Sequence, residues 1–398
     1  MTSLLGLAYW ANGELDAAYR GLAEGQQHLK LAGNLLFAAS SAIGLGDIRL
    51  LQGRLRDAKR VYQQALALEP AQDNPVVRPV TADLHVGLAL VHHQQGDAEA
   101  AARHLQTSKK LGEQIALADW RYRWCRARAQ ISLDEGALDA ALNMLDAAER
   151  AYYRGPLPEA RPIAAIRARV WLAQGRPADA QSWAREQGLS ADDELSFLRE
   201  FEHLTLARIL LAQFQRDGTD RFLQEAARLL ERLLQAAEQG GRTGSAIEIL
   251  LLQALAHRAQ GHIPQALASL ERAVVLAAPE GFVRLFTTEG PSLAELLKKL
   301  KAEGGKRPDY IDTLLAAFEP QVAAQLVPPV PQPLVEPLSR RELEVLHLIA
   351  QGLSNREISE RLFLALDTVK GHNRRIFGKL NVQRRTEAVA RARELGLV

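Results

Sequence analysis

Apolar residues recur at intervals of three and four over most of the first 278 positions, and the strict alternation typical of strands is absent. This is the period of an α-helix with one buried face. Ala and Leu dominate the segment and β-branched runs are scarce, which also favours helix. The pattern predicts an almost entirely helical region over residues 1–278.

A glycine followed five residues later by an alanine recurs through this region. The six pairs are Gly13/Ala18, Gly53/Ala58, Gly96/Ala101, Gly136/Ala141, Gly175/Ala180 and Gly261/Ala266. The glycines are 40, 43, 40, 39 and 86 residues apart, so the last interval covers two units and predicts a degenerate turn near residues 214–218. A small residue also precedes each glycine by seven positions: Gly6, Gly46, Ala89, Ala129, Ala168 and Ala254.

These offsets have a direct physical interpretation. Glycine permits a left-handed backbone in the turn between two helices, and small residues let the two helices pack closely. Because one helical hairpin cannot bury its apolar face alone, successive hairpins stack. We therefore predict an all-α fold that begins with a solenoid of seven hairpins. A helical bundle without repetition is the alternative, and the six matches at fixed offsets argue against it.

The repeat stops after residue 278. Two more helical patterns follow, and six prolines then fall within 18 residues. Such a proline-rich stretch is typical of a semi-rigid linker, because proline favours an extended backbone. We predict four parts, which are a solenoid (1–278), a helical extension (279–319), a proline-rich linker (320–337) and a small C-terminal domain (338–398).

Two capping boxes follow the linker. Ser339 with Glu342, and Ser354 with Glu357, have the spacing at which Ser and Glu exchange hydrogen bonds with the first turn of a helix. Two further helical patterns come next, and the last begins near residue 386. Short helices in this order predict a helix-turn-helix.

The helical pattern over residues 367–380 has two different faces. Its apolar side carries Val369, Asn373, Ile376 and Leu380, and the opposite side carries Asp367, Lys370, Gly371, Arg374 and Gly378. A recognition helix needs such an opposite side, because long cations reach base edges and small neighbours let the helix enter the major groove. The flanking cations expected to meet DNA phosphates are Arg375, Lys379, Arg384 and Arg385. A merely solvated basic face is the alternative.

The distribution of charge favours a polyanionic partner for this domain. Residues 338–398 contain 12 Lys and Arg against seven Asp and Glu, whereas residues 1–337 contain 37 against 40. A basic C-terminal domain on a mildly acidic body is typical of nucleic-acid binding.

Four segments resemble the LuxR-type helix-turn-helix of bacterial transcription regulators. They are LSRRELEVL (338–346), GLSNREI (352–358), TVKGH (368–372) and KLNV (379–382). The resemblance covers about residues 334–398 and implies a helix-turn-helix motif that spans Asn355 to Arg374. It also places Lys370 and Gly371, with Arg374, at base-facing positions and Thr368 at a phosphate-contacting one.

The same resemblance implies that the fourth helix pairs two DNA-binding domains. The residues that we expect on its surface are Val389, Ala392 and Arg393. The chain departs from the family pattern in two places. Ala365 stands where a hydroxyl residue usually caps the third helix, and Arg384 replaces a small hydroxyl residue at the start of the fourth.

The solenoid carries a second resemblance. Leu5-Gly6, Tyr9, Gly13 and Ala18 keep the internal spacing of the tetratricopeptide repeat, although the period here is about 41 residues instead of ~34. With the segments 281–286 and 289–293, the chain resembles the C-terminal half of MalT-like large ATP-binding LuxR regulators. Their ATPase is expected to be absent, because the chain has no Gly-x-x-x-x-Gly-Lys-Ser/Thr motif.

No motif for catalysis or for a bound cofactor is found. There is no Gly-x-Ser-x-Gly, no His-Glu-x-x-His and no dinucleotide-binding glycine fingerprint, so we predict neither an enzyme nor a cofactor. The histidines at 85, 92, 93 and 104 lack accompanying ligands, and surface histidines are favoured over a metal site. The single cysteine, Cys125, excludes a disulfide framework. Without a signal peptide or membrane-spanning run, we predict a cytoplasmic protein with no membrane contact.

Trp120 and Trp124 share one face of a predicted helix. Core packing is the favoured interpretation, and a surface for a ligand or a partner is the alternative. The sequence as a whole predicts a transcription activator that binds double-stranded DNA as a dimer and works with RNA polymerase. Its solenoid is expected to sense a small-molecule inducer or a protein effector. The alternative is a protein-interaction scaffold whose terminal domain no longer reads DNA.

Overall fold

The structure is a computed structural model, and the residues that it describes are 2–67, 78–152, 155, 157–326, 340–362, 366–380, 382 and 384–394. These residues form 21 α-helices and no strand, as the all-α prediction expects. The chain separates into two compact units, Met1–Pro320 and Gln321–Val398.

Seven helical hairpins make up most of the first unit. Their helices are α1 (Thr2–Ala11) with α2 (Leu15–Leu31), α3 (Leu35–Leu51) with α4 (Leu55–Leu66), α5 (Arg78–Gln94) with α6 (Ala98–Gly112), α7 (Trp120–Asp134) with α8 (Leu138–Arg150), α9 (Ile163–Ala173) with α10 (Pro177–Glu186), α11 (Glu200–Asp217) with α12 (Asp220–Gln239), and α13 (Thr243–Ala259) with α14 (Ile263–Ala277). The solenoid of seven hairpins is confirmed.

The turns and contacts of these hairpins follow the predicted offsets. The six turn glycines have φ between +70° and +82°, and the degenerate turn falls at Gly218, where φ is +64°. All six alanines after the turns and all six small residues before them are buried. The repeat in the sequence is therefore a repeat of close helix contacts.

Tyr62 of α4 shows how close these contacts are. A Cβ atom added to Gly46 of α3 would lie 2.1 Å from the Tyr62 ring, and one added to Gly87 of α5 would lie 2.4 Å from it. The ring is fully buried, and its hydroxyl donates a hydrogen bond of 2.7 Å to Asp47 Oδ1. The two glycines thus form the slot that holds this side chain between three helices.

The solenoid winds back on itself. The backbone N–H of Val283, which follows the seventh hairpin, donates a 2.8 Å hydrogen bond to the carbonyl of Gln94 in the third. Glu280 Oε2 accepts from the backbone N–H of Arg56 at 2.8 Å, and the carbonyl of Glu280 accepts from Gln95 Nε2 at 3.1 Å. The end of the repeat is therefore tied to the turns of the second and third hairpins.

Three helices extend the first unit beyond the hairpins. They are α15 (Arg284–Thr287), α16 (Pro291–Ala302) and α17 (Pro308–Leu326). Leu293, Leu297 and Ile311 are fully buried and join the core of the solenoid. The predicted linker begins too early, because α17 continues through Pro320 to Leu326. Good helix formers follow this proline, so the helix persists beyond it.

The second unit contains four helices. They are α18 (Arg340–Ala350), α19 (Asn355–Leu362), α20 (Leu366–Leu380) and α21 (Arg385–Glu394). The buried core that joins them consists of Val345, Leu346, Leu348, Ile349, Ile358, Val369, Ile376, Leu380, Ala388 and Ala392. These helices agree with the four expected from the sequence.

Several side chains singled out in the sequence have structural roles inside the solenoid. Trp120 Nε1 donates to Ser108 Oγ at 3.0 Å, and Trp124 Nε1 donates to the carbonyl of Leu105 at 3.1 Å. Both indoles therefore pack against α6, as the core-packing interpretation expects. His93 is fully buried and lies 2.8 Å from Asp134, so its expected surface position is wrong.

A buried ionic cluster joins three of the hairpins. Arg123 of α7 donates to Asp47 at 2.8 Å and lies 3.0 Å from Asp83 Oδ1. Asp83 has no exposed surface. Burial raises the pKa of Asp83 to about 7, although the Arg123 guanidinium opposes the shift. Two carboxylates here share one guanidinium.

The slot around Tyr62 predicts a large effect of a small substitution. Gly46→Ala should destabilise the protein by about 1–3 kcal/mol, because the added Cβ overlaps a ring that Gly87 and Asp47 hold in place. Gly44→Ala is the matched control in the same helix, since its Cβ would meet neighbours only at 3.4 Å or beyond. The control should be neutral or stabilising by up to ~1 kcal/mol. Denaturant unfolding of both variants measures the difference, and equal stabilities would contradict the slot.

The Asp83 cluster predicts a pH-dependent stability. Its raised pKa means that the folded state binds more protons than the unfolded chain, so the stability from this group falls as pH rises from about 4 through 7. Asp83→Asn removes this pH dependence of the unfolding free energy, whose slope is at most about 1.4 kcal/mol per pH unit. The variant should gain stability relative to the parent over that range and keep the gain above it. Unfolding at several pH values, with the surface variant Asp57→Asn as control, tests this, and a pH-independent difference would exclude it.

Candidate nucleic-acid interface

The core of the second unit fixes the orientation of α20. Val369, Ile376 and Leu380 are buried on one side of this helix, and Asn373 is 8% exposed on the same side. The face predicted to be apolar is therefore the packed face. Phe377 also packs against this core, and the exposed side chains of α20 lie away from it.

The start of α19 is fixed by the second capping box. The backbone N–H of Ser354 donates to Glu357 Oε2 at 2.7 Å, and the backbone N–H of Glu357 donates to Ser354 Oγ at 3.4 Å. These hydrogen bonds with Ser354 hold the pKa of Glu357 below its usual value. Ser339 of the first box and Ala365 lie outside the described residues.

The outward face of α20 carries long polar side chains and open space. Thr368, Lys370, Arg374 and Arg375 are exposed. A Cβ atom added to Gly371 or to Gly378 would meet nothing within 4 Å. The face thus combines cations with gaps that let another surface approach the helix backbone. Asp367 contributes its backbone to the helix, and its side chain lies outside the described residues.

Lys379 has a different position from the one predicted. Its Nζ lies 2.9 Å from Glu342 Oε2, and the Glu342 side chain is only 4% exposed. This ion pair joins α20 to α18. We therefore correct the predicted phosphate contact of Lys379. Its ammonium group instead holds α20 against α18, because a buried carboxylate requires its cation.

Arg385 also serves the domain's own structure. Its Nη2 donates to the carbonyl of Leu353 and, at 3.5 Å, to that of Ile349. Its Nη1 donates to Asn355 Oδ1 at 3.4 Å, and the same oxygen accepts from Asn373 Nδ2 at 2.8 Å. The guanidinium satisfies backbone carbonyls where α18 ends, so its predicted phosphate contact is corrected.

Arg384 remains on the surface. Its side chain is 82% exposed, and its nearest carboxylate is Glu387 at 3.8 Å. The backbone N–H of Arg384 donates to Glu387 Oε2 at 3.1 Å. Half of a capping box therefore persists at the start of α21, although the usual hydroxyl residue is replaced.

The surface predicted for pairing two domains is partly internal. Ala392 has no exposed surface and, with Ala388 one turn earlier, packs in the domain core. Val389 is half-buried against the same core. The side chain of Arg393 lies outside the described residues. The assignment of Ala392 to the surface is wrong, because residues four apart share the packed face of a helix.

A capped helix-turn-helix with a basic, open outward face defines a DNA-binding domain, and here one chain joins it to a helical-repeat solenoid. Comparison with protein families makes this more specific. Residues 1–303 match the MalT-like TPR region, and residues 336–392 match the bacterial regulatory proteins of the luxR family. The chain belongs to the MalT-like TPR family, and its C-terminal domain is of the luxR type. It is a DNA-binding transcription regulator.

The chain also matches solved structures at low similarity. A tetratricopeptide repeat protein from Parabacteroides merdae is 15% identical, with a TM-score of 0.33, covering 70% of this chain and 98% of its own. The human IFIT1 dimer with m7Gppp-AAAA is 13% identical, with a TM-score of 0.33 and 90% coverage of both chains.

Two observations concern the metal site and the membrane span that the sequence does not predict. Among the described residues, no three His, Cys, Asp or Glu side chains are grouped so as to hold a metal ion. None of the helices in the described ranges is both long and apolar enough to cross a bilayer. The two matching families describe a repeat region and a DNA-binding domain.

The contacts of Arg385 predict a local loss of stability. Arg385→Ala should destabilise α18 and α19 by about 1–3 kcal/mol, because it removes the donor to the Leu353 carbonyl at their junction. Its neighbour Arg384→Ala removes an equal charge from an exposed position and should leave stability unchanged. Amide hydrogen exchange in the full chain measures both variants. Equal protection in the two variants would show that Arg385 has no such role.

Proposed function

We propose that the protein is a transcription activator that reads a specific DNA sequence with α20 and adjusts this binding to a signal received by its solenoid. The outward face of α20 carries the proposal. On it, Lys370 and Arg374 are exposed beside Gly371 and Gly378, and a Cβ atom at either glycine would meet nothing. A helix with this face can enter a major groove with its cations directed at base edges.

The contacts divide by their expected role on DNA. We assign Lys370, Gly371 and Arg374 to the bases, since they lie on the central outward stripe of α20. The exposed positions of Thr368, Arg375 and Arg384 suit phosphates on either side.

Two copies of the chain are expected to bind one operator. A single helix-turn-helix makes few base contacts, and pairing is the usual route to high affinity. We assign the pairing surface to α21, around Arg393 and around Val389, which the core leaves partly exposed. An activator bound in this way would recruit RNA polymerase through a protein contact.

Regulation is assigned to the solenoid, which would bind a small-molecule inducer or a protein effector. Such an effector acts by favouring one state of the chain over another. A shift from 1:99 to 99:1 requires a difference of about 5.5 kcal/mol in its binding to the two states. A scaffold function is the second candidate, and it predicts no specific DNA affinity.

The proposed base contacts are tested by DNA binding. Lys370→Ala and Arg374→Ala should each lose about 1–3 kcal/mol and relax the base preference, because each removes a side chain that reads a base. Arg384→Ala, the matched phosphate variant, should weaken all sequences alike and reduce the salt dependence of log K by about 1.

The measurement is fluorescence anisotropy on operators selected from a random DNA library, repeated at several salt concentrations. If Arg374→Ala binds every sequence as the parent does, the groove assignment is wrong. If the parent itself shows neither sequence preference nor salt dependence, the scaffold function is favoured.

A further inference from the structure

Four arginines come together inside the solenoid, on three successive hairpins. Arg126 lies on α7, Arg161 immediately precedes α9, and Arg169 and Arg208 lie on α9 and α11. The carboxylates in direct contact with this group belong to Glu248 and Glu289. The cluster, which we name the arginine cluster, therefore holds four positive charges against two negative ones.

Both carboxylates already accept hydrogen bonds from arginines of the cluster. Glu248 Oε1 accepts from Arg169 Nη1 at 2.7 Å and from Arg208 Nη2 at 2.9 Å, and Glu289 Oε1 accepts from Arg208 Nη2 at 2.5 Å. Burial would raise the pKa of Glu248, but the guanidiniums of Arg169 and Arg208 outweigh it and lower the pKa to about 2. Arg169 Nη2 is buried and has no hydrogen-bond partner among the described residues.

Arg161 and Arg126 have no carboxylate within ion-pair distance in the described part of the chain. Burial, together with the charge of Arg126, lowers the pKa of Arg161. Yet the Arg161 side chain is exposed to solvent. The Arg161 side chain is therefore accessible to a solute.

The other carboxylates near Arg161 are held elsewhere. Asp134 lies 2.8 Å from His93 Nε2 and accepts from Gln130 at 2.9 Å. Glu200 accepts from Arg242 Nε at 2.7 Å. Neither is within ion-pair distance of Arg161, so both act on its charge only at longer range.

An aromatic ring keeps two of the guanidiniums together. Arg169 Cζ lies 3.9 Å from the centroid of the Phe201 ring, and Arg161 Cζ lies 5.4 Å from it. Phe201 is buried in α11. Cation–π attraction offsets part of the repulsion between the two arginines and holds their N–H donors close to one another.

We propose that the arginine cluster binds a small organic anion, carrying a carboxylate or a phosphate, inside the solenoid. A carboxylate or phosphate accepts two parallel hydrogen bonds from one guanidinium. A neutral sugar or amide lacks the negative charge that strengthens these hydrogen bonds. Because the arginines come from the fourth, fifth and sixth hairpins, the anion would join three repeats. That this anion is the effector rests on the function proposed above.

The test uses the full chain with succinate, citrate, inorganic phosphate and glucose 6-phosphate as probes, at constant ionic strength. Succinamide and glucose are their uncharged counterparts. At least one anion should raise the melting temperature saturably, and neither uncharged compound should. Arg161→Gln and, independently, Arg126→Gln should weaken this binding about tenfold or more. Arg121→Gln, on the exposed side of α7, is the matched control and should bind as the parent does.

The outcomes separate this inference from the proposed function. Absence of saturable stabilisation by all four anions, or equal stabilisation of the parent and Arg161→Gln, overturns the anion site and leaves DNA binding untouched. Anion binding that depends on Arg161 supports the site. If such binding changes neither DNA affinity nor transcription, the site stands and the effector role of the anion is wrong. Melting of the unliganded variants confirms that each is folded.

Discussion

The close approach of paired helices at small residues is the constraint on which the solenoid depends. All seven hairpins turn at a left-handed glycine, and six of them place an alanine or glycine against the partner helix on both sides of the turn. Where a large residue enters such a contact, as Tyr62 does, two glycines make the room for it. Bulk at these positions would separate the helices, and each hairpin would lose the shape that stacks on the next.

The repeat could be predicted from sequence because its determinants lie within about 20 residues of one another. The internal charges could not, because their partners are distant along the chain. Arg169 contacts Glu248 79 positions later, and Val283 bonds to Gln94 only because the solenoid winds back. One signal was available, since Asp83 interrupts an apolar run of α5. An ionisable residue on a face that the period predicts to be buried indicates a hidden partner.

The DNA-binding domain shows the same division between local and tertiary information. A helical period assigns residues to faces, and it placed Val369 and Ile376 in the core and Arg374 outside correctly. The helical period does not reveal which polar groups of adjacent helices still need a hydrogen-bond or ion-pair partner. Lys379 meets a buried carboxylate, and Arg385 meets carbonyls at the end of α18. Basic residues on and near α20 are therefore of two kinds, and only packing distinguishes exposed cations from cations that hold the helix in place.

The buried charges of the solenoid also differ from its alanine contacts in what they contribute. Alanine contacts recur at the same offsets in six of the seven hairpins and do not by themselves distinguish one neighbour from another. Buried ion pairs contribute little net stability, since desolvation offsets their attraction, but an incorrect arrangement leaves a charge unpaired. Arg123 and Arg126 lie one turn apart on α7, the first beside two carboxylates and the second within an excess of arginines. The charges are thus matched by position along the solenoid rather than within each repeat, so they distinguish one neighbouring hairpin from another.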